Sequence, residues 1–499
     1  MELSPEIIYK SYINNELDKT STINQLISLI DNSDDLLTRV KSIKTLNKIK
    51  PTDDRAFHVL ENLLVSDSHK EIRYEAARGI KNNFLNRSLE PIKWVFAHEK
   101  SLKCLLIITE IIGEFNTSFS KSLLIEKINQ FDNDQFKKSI EDLGKKDNLE
   151  YLSGKKLSKI VQNQLIIDYL ENKFGQVNYK LHNGIITQLD LSDISTHIFG
   201  WRVLKKFPFF LKYLNSIKIL DLKFNRLSII PKSIGNLNSL VYLDLSYNKI
   251  ENLPSSIGFL TSLEFLNLRY NKLSKLPHSI GDLKKLKKLD LRSNNLKTLP
   301  KTIKKLSQLK ILDLHGNKLD NIISNFKGLS SLEELELGLN NLTKLPESLK
   351  SIKSLKKLGL GGNRLKRLSN WICSFKKLEI LQLYDNKLIE LPKTIGNLSS
   401  LKTLVLWNNN LESLPKSFSS LYNLKSLNLS WNNFTKLPEW IESLRSLEEL
   451  SLWGNKLNSL PQSMANLNSL KILDLNFTFI IDIPDFLRDL EKKGLVIYK

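Results

Sequence analysis

The sequence predicts an α/β solenoid over most of its length, preceded by an all-α helical region. Three observations support this prediction. An asparagine recurs every 23 residues from Asn225 to Asn455. An apolar L-x-L pattern precedes each of these asparagines, whereas residues 1–175 lack both features and show helical spacing instead. A fixed period of this length is the signature of stacked repeats that share one continuous core.

Each repeat places apolar residues at fixed offsets from its asparagine, namely −8, −5, −3, +2, +5, +9 and +12, as in LVYLDLSYNKI (240–250). The period-two L-x-L core predicts a short strand with its leucines inward. Proline stands at +6 in ten units, for example Pro231, Pro254 and Pro415, and ends the extended run. The apolar +9 and +12 positions then predict a helical or 3₁₀ turn. We expect the asparagines to bond unpaired turn backbone and form a ladder.

The repeat resembles that of intracellular leucine-rich-repeat proteins of the 23-residue LPxxIGxL type, as in LPSSIGFLTSLEFLNLRYNKL (253–273). Such units are similar to those of Ras-binding, plant intracellular Ras-group and LAP repeat proteins. The resemblance covers roughly 186–499 and implies a horseshoe whose concave face binds a protein. It also implies a small Ras-like GTPase, or a regulator of such signalling, as the partner. The cysteine caps of secreted relatives are absent.

The N-terminal third contains three similar helical segments, at 34–50, 68–84 and 99–115. The middle segment resembles a HEAT-type repeat, with five residues on one helix face: Ile72, Arg73, Ala76, Ala77 and Ile80. We therefore predict three parts, which are HEAT-like repeats in 1–115, a helical connector and cap in 116–175, and a leucine-rich-repeat domain in 176–499. The last part would hold about twelve regular repeats, an irregular first strand (183–193), the aromatic stretch 201–214 and a C-terminal cap ending in an edge strand.

No catalytic constellation is found in the sequence. It lacks a GxxxxGK[ST] phosphate loop, a kinase motif set, an HExxH zinc motif and a GxSxG nucleophile elbow. We therefore predict no enzymatic activity, no cofactor and no metal. Cys104 and Cys373 lie far apart, and Cys373 is interpreted as a buried structural residue. Since the sequence shows neither a signal peptide nor a membrane-spanning run, we expect a cytoplasmic monomer without membrane insertion.

The strand positions −6, −4 and −2 are predicted to point to the concave face. Two sets of candidate partner-binding residues lie there or beside it. The charged set comprises Arg269, Arg292 and His315, and the aromatic set comprises Tyr384, Trp407, Trp431 and Trp453. Trp, Tyr and Arg dominate binding hot spots, which favours recognition. The alternative is that neighbouring aromatic rings only pack on each other and that the charges form a solvated lattice.

The net charge of +21 is concentrated in residues 201–400, which hold 36 Lys+Arg and 15 Asp+Glu. Much of this excess is predicted to line the rim of the horseshoe, at Lys284, Lys285, Lys287, Lys288, Lys356 and Lys357. A solubilising surface is one interpretation. The alternative function is binding of an anionic partner, either nucleic acid or a membrane surface, through this basic region. Because RNA-binding aromatic motifs and a basic amphipathic helix are missing, nucleic acid is expected to bind weakly and non-specifically at most.

Overall fold

A computed structural model describes residues 4–144, 148–193, 203–320 and 326–499, and these residues form two compact units. The first unit comprises the described residues up to Leu189 together with Phe209–Leu214, and the second comprises those in Asp190–Pro208 and Asn215–Lys499. The predicted fold class is confirmed, since helices precede a solenoid of parallel strands. The predicted domain limits after residues 115 and 175, and the HEAT likeness, stay predictions.

The first unit is built mainly from α-helices that begin at well-formed caps. The side chains of Ser4, Asp18, Asp35, Asp53 and Ser153 accept hydrogen bonds from first-turn N–H groups, which satisfies donors that helix geometry leaves unpaired. The helices are α1 (Pro5–Ile13), α2 (Lys19–Asn32), α3 (Leu36–Ile49), α4 (Asp54–Ser66), α5 (Lys70–Asn83), α6 (Leu89–His98), α7 (Leu102–Phe115), α8 (Ser118–Asn129), α9 (Asp134–Gly144) and α10 (Gly154–Phe174).

Arg73 on α5 forms a bidentate ion pair with Glu99, which stands between α6 and α7. Its Nε and one terminal nitrogen donate to the two carboxylate oxygens at 2.7 and 2.9 Å. The Glu99 side chain is 2% exposed and also accepts from the N–H groups of Lys100 and Ser101. Burial opposes ionisation of Glu99, but these bonds outweigh it and hold its pKa below the ordinary range. The pair therefore ties α5 to the start of α7.

The first unit ends in a β-hairpin that the sequence did not predict in full. Strand β1 (Asn178–His182) precedes β2 (Ile185–Asp190), and only β2 falls in the expected first strand. The two connecting residues, Asn183 and Gly184, have φ values of 52° and 71°, as a tight hairpin turn requires. Of the aromatic stretch, residues 201 and 202 lie outside the described residues. Phe209 and Phe210 pack edge-on against Tyr169 of α10.

The second unit is a parallel sheet in which every strand pairs with the next one along the chain. From β3 to β14 each residue pairs with the residue 23 positions on, as Leu289 does with Leu312. The strands are β3 (Ile219–Asp221), β4 (Tyr242–Asp244), β5 (Phe265–Asn267), β6 (Lys288–Asp290), β7 (Ile311–Asp313), β8 (Glu334–Glu336), β9 (Lys357–Gly359), β10 (Ile380–Gln382), β11 (Thr403–Val405), β12 (Ser426–Asn428), β13 (Glu449–Ser451), β14 (Ile472–Asp474) and β15 (Val496–Tyr498).

Short 3₁₀ turns follow the +6 position of the repeats, as the sequence predicted, and a proline occupies that position before most of them. Pro231 and Pro254 sit immediately before two of these turns with φ of −75° and −70°. The turns occupy Lys232–Asn236, Ser255–Phe259, His278–Asp282, Lys301–Lys305, Phe326–Gly328, Glu347–Ser351, Asn370–Ser374, Ile395–Asn397, Lys416–Ser420, Glu439–Ser443 and Gln462–Asn466. At the C-terminal end, helix α11 (Asp485–Lys492) precedes the edge strand β15, which matches the expected cap.

The repeated asparagines form the expected ladder. The Asn294 side chain accepts from the N–H of Leu273 at 3.0 Å and donates to the carbonyls of Leu268, Leu291 and Arg292 at 2.9, 3.0 and 3.3 Å. Asn294 is buried, and its partners belong to two successive repeats. Each asparagine thus satisfies buried backbone groups of its own turn and of the preceding one.

Candidate partner-binding face

The strand residues at −6, −4 and −2 lie on the side opposite the buried leucines, and we call this side the open face. On β4, Leu243 is fully buried between Tyr242 and Asp244, which belong to the open face. The residue at −1 also joins the open face, although alternation would turn it inward. Non-glycine residues at −1 have φ between 48° and 55°, which reverses the side chain's direction. Phe224, Tyr270 and Trp431 are therefore exposed.

A row of carboxylates forms the floor of the open face on the earlier strands. The Asp221, Asp244, Asp290 and Asp313 carboxylates each accept a hydrogen bond from the backbone N–H two residues further along, at 2.8–3.1 Å. Asp244 and Asp290 are buried. Burial is the main cause that raises the pKa of Asp221, Asp290 and Asp313. These groups are held in place by their own strands and lie below the longer side chains around them.

The predicted aromatic residues are brought together in two pairs. The Tyr384 and Trp407 rings stack with centroids 5.1 Å apart and planes within 3° of parallel. Trp431 meets Trp453 at 5.5 Å in an edge-to-face arrangement. Glycine makes room for both pairs. A Cβ at Gly361 would collide with the Tyr384 ring, and one at Gly454 would lie 2.9 Å from the Trp431 ring.

The aromatic pairs remain open to solvent despite this packing. Trp431 and Trp453 are 49% and 37% exposed, and Phe477, whose ring centroid lies 6.1 Å from that of Trp453, is 77% exposed. Tyr384 and Trp407 are half-buried. Lateral packing, one of the two alternatives drawn from the sequence, is thus present. We call Tyr384, Trp407, Trp431, Trp453 and Phe477 the aromatic cluster.

A second set of aromatic residues lies on the earlier strands and was missed in the sequence. Phe224, Tyr247 and Tyr270 stack in a row, with centroids 4.4 and 4.5 Å apart. Tyr242 and Phe265 stack at 4.4 Å with nearly parallel planes. The signal was available, because these residues stand 23 positions apart at −1 and −6. With these residues on the early strands and the aromatic cluster on the late ones, the open face is aromatic at both ends.

Arg269 and Arg292 stand at the −2 position of successive repeats, two residues after the ends of β5 and β6, and we call them the arginine pair. The Arg269 guanidinium lies 5.1 Å above the Tyr247 ring, and its Nε is buried without a hydrogen-bond partner. Arg292 is exposed. Over the residues that the structure describes, no carboxylate oxygen lies within 4.0 Å of either guanidinium. His315 follows at −2 of β7, and a Cβ at Gly338 would lie 2.7 Å from its Nδ1.

Replacing Arg292 with Gln is expected to raise the pKa of His315. Burial lowers this pKa, and the neighbouring Arg292 charge lowers it further, while Asp313 and Glu336 oppose both effects. Removing the cation therefore makes protonation easier. An NMR titration of the His315 ring proton in wild type and Arg292→Gln measures the change. Arg364→Gln, an exposed arginine in the turn after β9, should leave it unmoved. An unchanged or lower pKa in Arg292→Gln would contradict the expectation.

The predicted rim lysines are mostly engaged within the chain. Lys287 and Lys356 bind Glu264 and Glu333 of the preceding repeats, both at 2.7 Å. Lys284 donates to the Gly281 carbonyl at 2.6 Å, while Lys285 is exposed. Lys288 and Lys357 are the first residues of β6 and β9 and so belong to the open face, where Lys288 lies over the Phe265 ring and Lys357 binds Glu336 at 2.8 Å.

The −7 position explains the pairing of the rim lysines. Glutamates at 264, 333, 379 and 448 each meet a lysine one repeat away. Glu448 binds both Lys425 and Lys471, and their hydrogen bonds lower its pKa to about 2. The positive charge of this edge is therefore partly neutralised by a ladder of exposed ion pairs.

Both cysteines are buried, and burial raises the pKa of the Cys104 thiol to about 12 and also raises that of Cys373. Neither thiol is thus prepared to act as a nucleophile. In the described ranges no three His, Cys, Asp or Glu side chains are grouped to hold a metal ion. No described helix has the length and apolarity needed to span a bilayer.

Comparison with known proteins identifies the repeat. A family model described as "Leucine-rich repeat region" matches residues 257–370 and 366–485, and one described as "Leucine rich repeat" matches residues 215–273. Together these matches span more than half of the chain. The chain is a leucine-rich-repeat protein. No enzymatic family is among these matches, and no curated protein matches the sequence.

Solved structures with the leucine-rich-repeat fold are similar to this chain. An internalin (inlF) from Listeria monocytogenes is 23% identical, with a TM-score of 0.55, over 74% of this chain and 96% of the internalin. The plant peptide hormone receptor RGFR1, in complex with RGF2, is 29% identical, with a TM-score of 0.52, over 62% of this chain and 50% of the receptor. The GASSHO1/SCHENGEN3 ectodomain from Arabidopsis thaliana was solved in complex with CASPARIAN STRIP INTEGRITY FACTOR 2. It is 32% identical, with a TM-score of 0.50, over 58% of this chain and 39% of the ectodomain. This chain thus spans half or less of the two plant receptors.

Proposed function

We propose that this chain is a non-catalytic scaffold that binds a protein partner on the open face, with the aromatic cluster as its main contact. The observation that carries the proposal is the exposure of Trp431 and Trp453, which the described residues of the second unit leave open to solvent. Leucine-rich-repeat proteins generally act in protein–protein interaction, and the two plant receptors were both solved in complex with a second molecule. A binding role accords with these features.

Large exposed aromatic side chains favour an interface. Aromatic rings bury much apolar area at a low cost in side-chain entropy, and clusters of Trp and Tyr dominate interface hot spots. Stacking of Tyr384 on Trp407 holds both rings in place before a partner arrives. Lateral packing therefore supports recognition rather than replacing it, because a rigid surface loses less freedom on binding.

The resemblance to Ras-binding and plant Ras-group repeat proteins makes a small Ras-like GTPase, or a regulator of such signalling, the proposed class of partner. The proposed setting is the cytoplasm, and the proposed state is a monomer. Nucleic acid is expected to bind weakly and without sequence preference, since Lys287 and Lys356 are held by Glu264 and Glu333. Binding of nucleic acid or of an anionic membrane through the basic region remains the alternative function.

The test begins with peptides selected from a display library on the full chain. Trp407→Ala/Trp453→Ala is expected to weaken the selected peptides by about 2 kcal/mol, with little change in the unfolding midpoint, because both rings are partly exposed. Calorimetric titration and thermal unfolding measure the two quantities. Trp440→Ala is the matched control, since Trp440 packs on Phe418 in an outer 3₁₀ turn. Unchanged affinity in the double variant, together with a large loss of stability, would refute the proposal.

A further inference from the structure

The arginine pair lacks a close carboxylate partner among the described residues. Arg269 and Arg292 follow one another at −2 on adjacent strands, which lie about 4.8 Å apart in a sheet. Arg269 Nε has no acceptor although it is buried. Asp290 and Asp313 act on Arg269 and Arg292 only through longer-range electrostatic attraction, and among the described residues no carboxylate oxygen lies within 4.0 Å of either guanidinium. Guanidinium groups that are not already paired with a carboxylate are the side chains best suited to bind one through paired hydrogen bonds.

The nearby aspartates do not serve as those partners. One carboxylate oxygen of Asp290 accepts a hydrogen bond from the backbone N–H of Arg292 at 3.1 Å. One carboxylate oxygen of Asp313 likewise accepts from the N–H of His315 at 2.9 Å. Asp290 is 8% exposed, whereas Arg292 is exposed. The carboxylates thus form the floor, and the guanidinium of Arg292 is the group that an incoming molecule meets first. The surrounding sequence adds attraction, because residues 201–400 carry the whole net charge of +21.

We infer that the arginine pair binds a carboxylate-bearing segment of the protein partner, an Asp- or Glu-rich stretch that lies along the open face beside the aromatic cluster. The inference rests on the proposed function and adds the chemistry of the partner. From β6, which precedes Arg292, to β11, which precedes Trp407, there are five strand steps, or about 24 Å. An extended peptide covers that distance in roughly seven residues. The segment therefore places acidic side chains about seven residues from an apolar or aromatic one.

The test uses a labelled hexaglutamate peptide, with hexaglutamine as the neutral probe, on the full chain at about physiological ionic strength. Arg269→Gln/Arg292→Gln is expected to weaken hexaglutamate binding about tenfold, because two charge-assisted contacts are lost. The matched control is Arg364→Gln/Arg367→Gln, which removes the same charge from exposed arginines in the turn after β9. The affinity of this control variant for hexaglutamate should stay within about twofold of that of wild type. Circular dichroism checks that both variants fold.

Any of four outcomes would overturn the inference. Hexaglutamine could bind as well as hexaglutamate, or both double variants could lose affinity equally, which would reduce the effect to general attraction. A hexauridine oligonucleotide could bind more tightly than hexaglutamate and depend on the same arginines, which would point to nucleic acid. The selected peptides of the preceding section separate the two proposals. If they still depend on Trp407 and Trp453 but carry no acidic residues, only the inference about the arginine pair fails.

Discussion

Asn294→Ala is expected to destabilise the second unit by about 3 kcal/mol or more, since it leaves the Leu273 N–H and three carbonyls without their buried partner. The loss falls at the boundary between two repeats in the middle of the array. In a solenoid, the free energy of unfolding is close to the sum of the stabilities of single repeats and of the interfaces between neighbouring repeats. Because one weakened interface couples its two neighbours less strongly, it also reduces the cooperativity of unfolding. Urea unfolding followed by tryptophan fluorescence should show an earlier and broader transition.

Thr478 provides the matched control for Asn294, because it occupies the twelfth asparagine place at the edge of the array. Its hydroxyl donates to the Leu475 carbonyl at 2.7 Å, and the residue is half-buried. Thr478→Ala should therefore cost about 1 kcal/mol or less. Equal destabilisation by Thr478→Ala and Asn294→Ala would mean that the ladder contributes no more than an ordinary hydrogen bond.

Glu99→Gln is expected to destabilise the first unit by about 3 kcal/mol, because Arg73 would lose its ionised partner in a largely buried position. The pKa of Glu99 is lower in the folded chain than in the unfolded chain. Its ionised form therefore adds stability at neutral pH, and this contribution is lost as pH falls below the ordinary Glu value of about 4.3 toward the depressed folded pKa. Urea unfolding followed by far-ultraviolet circular dichroism, repeated over a range of pH, measures both effects.

Glu110→Gln is the matched control in the same unit, since its ion pair with Lys81 at 2.8 Å involves a carboxylate that is 40% exposed. Glu110→Gln should lower the free energy of unfolding by about 1 kcal/mol or less. Stability of Glu99→Gln should also depend less on pH in the acid range than that of wild type. If the stability of Glu99→Gln falls with acid as steeply as that of wild type, other carboxylates cause that pH dependence.

Much of the fold follows from periodicity. Strict spacing predicted the turns after proline and the asparagine ladder, and it also accounts for the strand register, in which Leu289 pairs with Leu312. The positive φ at −1 was not, because alternation alone would turn Tyr247 or Trp431 toward the core. The absence of β-branched residues and the use of Gly316, Gly362 and Gly454 at that position are the signals that indicate it.

The candidate face was predicted as a set of columns but not as a set of contacts. Spacing brought Tyr384 next to Trp407, yet their parallel stacking depends on the space that Gly361 leaves, which a pattern of residue types does not reveal. Within a single repeat, the rim lysines Lys287 and Lys356 have no acidic partner among the described residues. Glu264 and Glu333 stand one repeat before Lys287 and Lys356, so their pairing appears only when successive repeats are compared.

The asparagine ladder also limits how this surface changes by insertion or deletion. Because every rung joins two neighbouring units, a whole unit of 23 residues can be gained or lost with all rungs re-formed, whereas a shift of one residue breaks a rung. A duplication between β6 and β11 would move the arginine pair away from Trp407 by one strand spacing, about 4.8 Å. The distance between the arginine pair and Trp407 therefore changes only in whole steps of one repeat. In the proposed mode of binding, related chains with one unit more or fewer should prefer partners whose acidic and apolar residues are separated by a different number of positions.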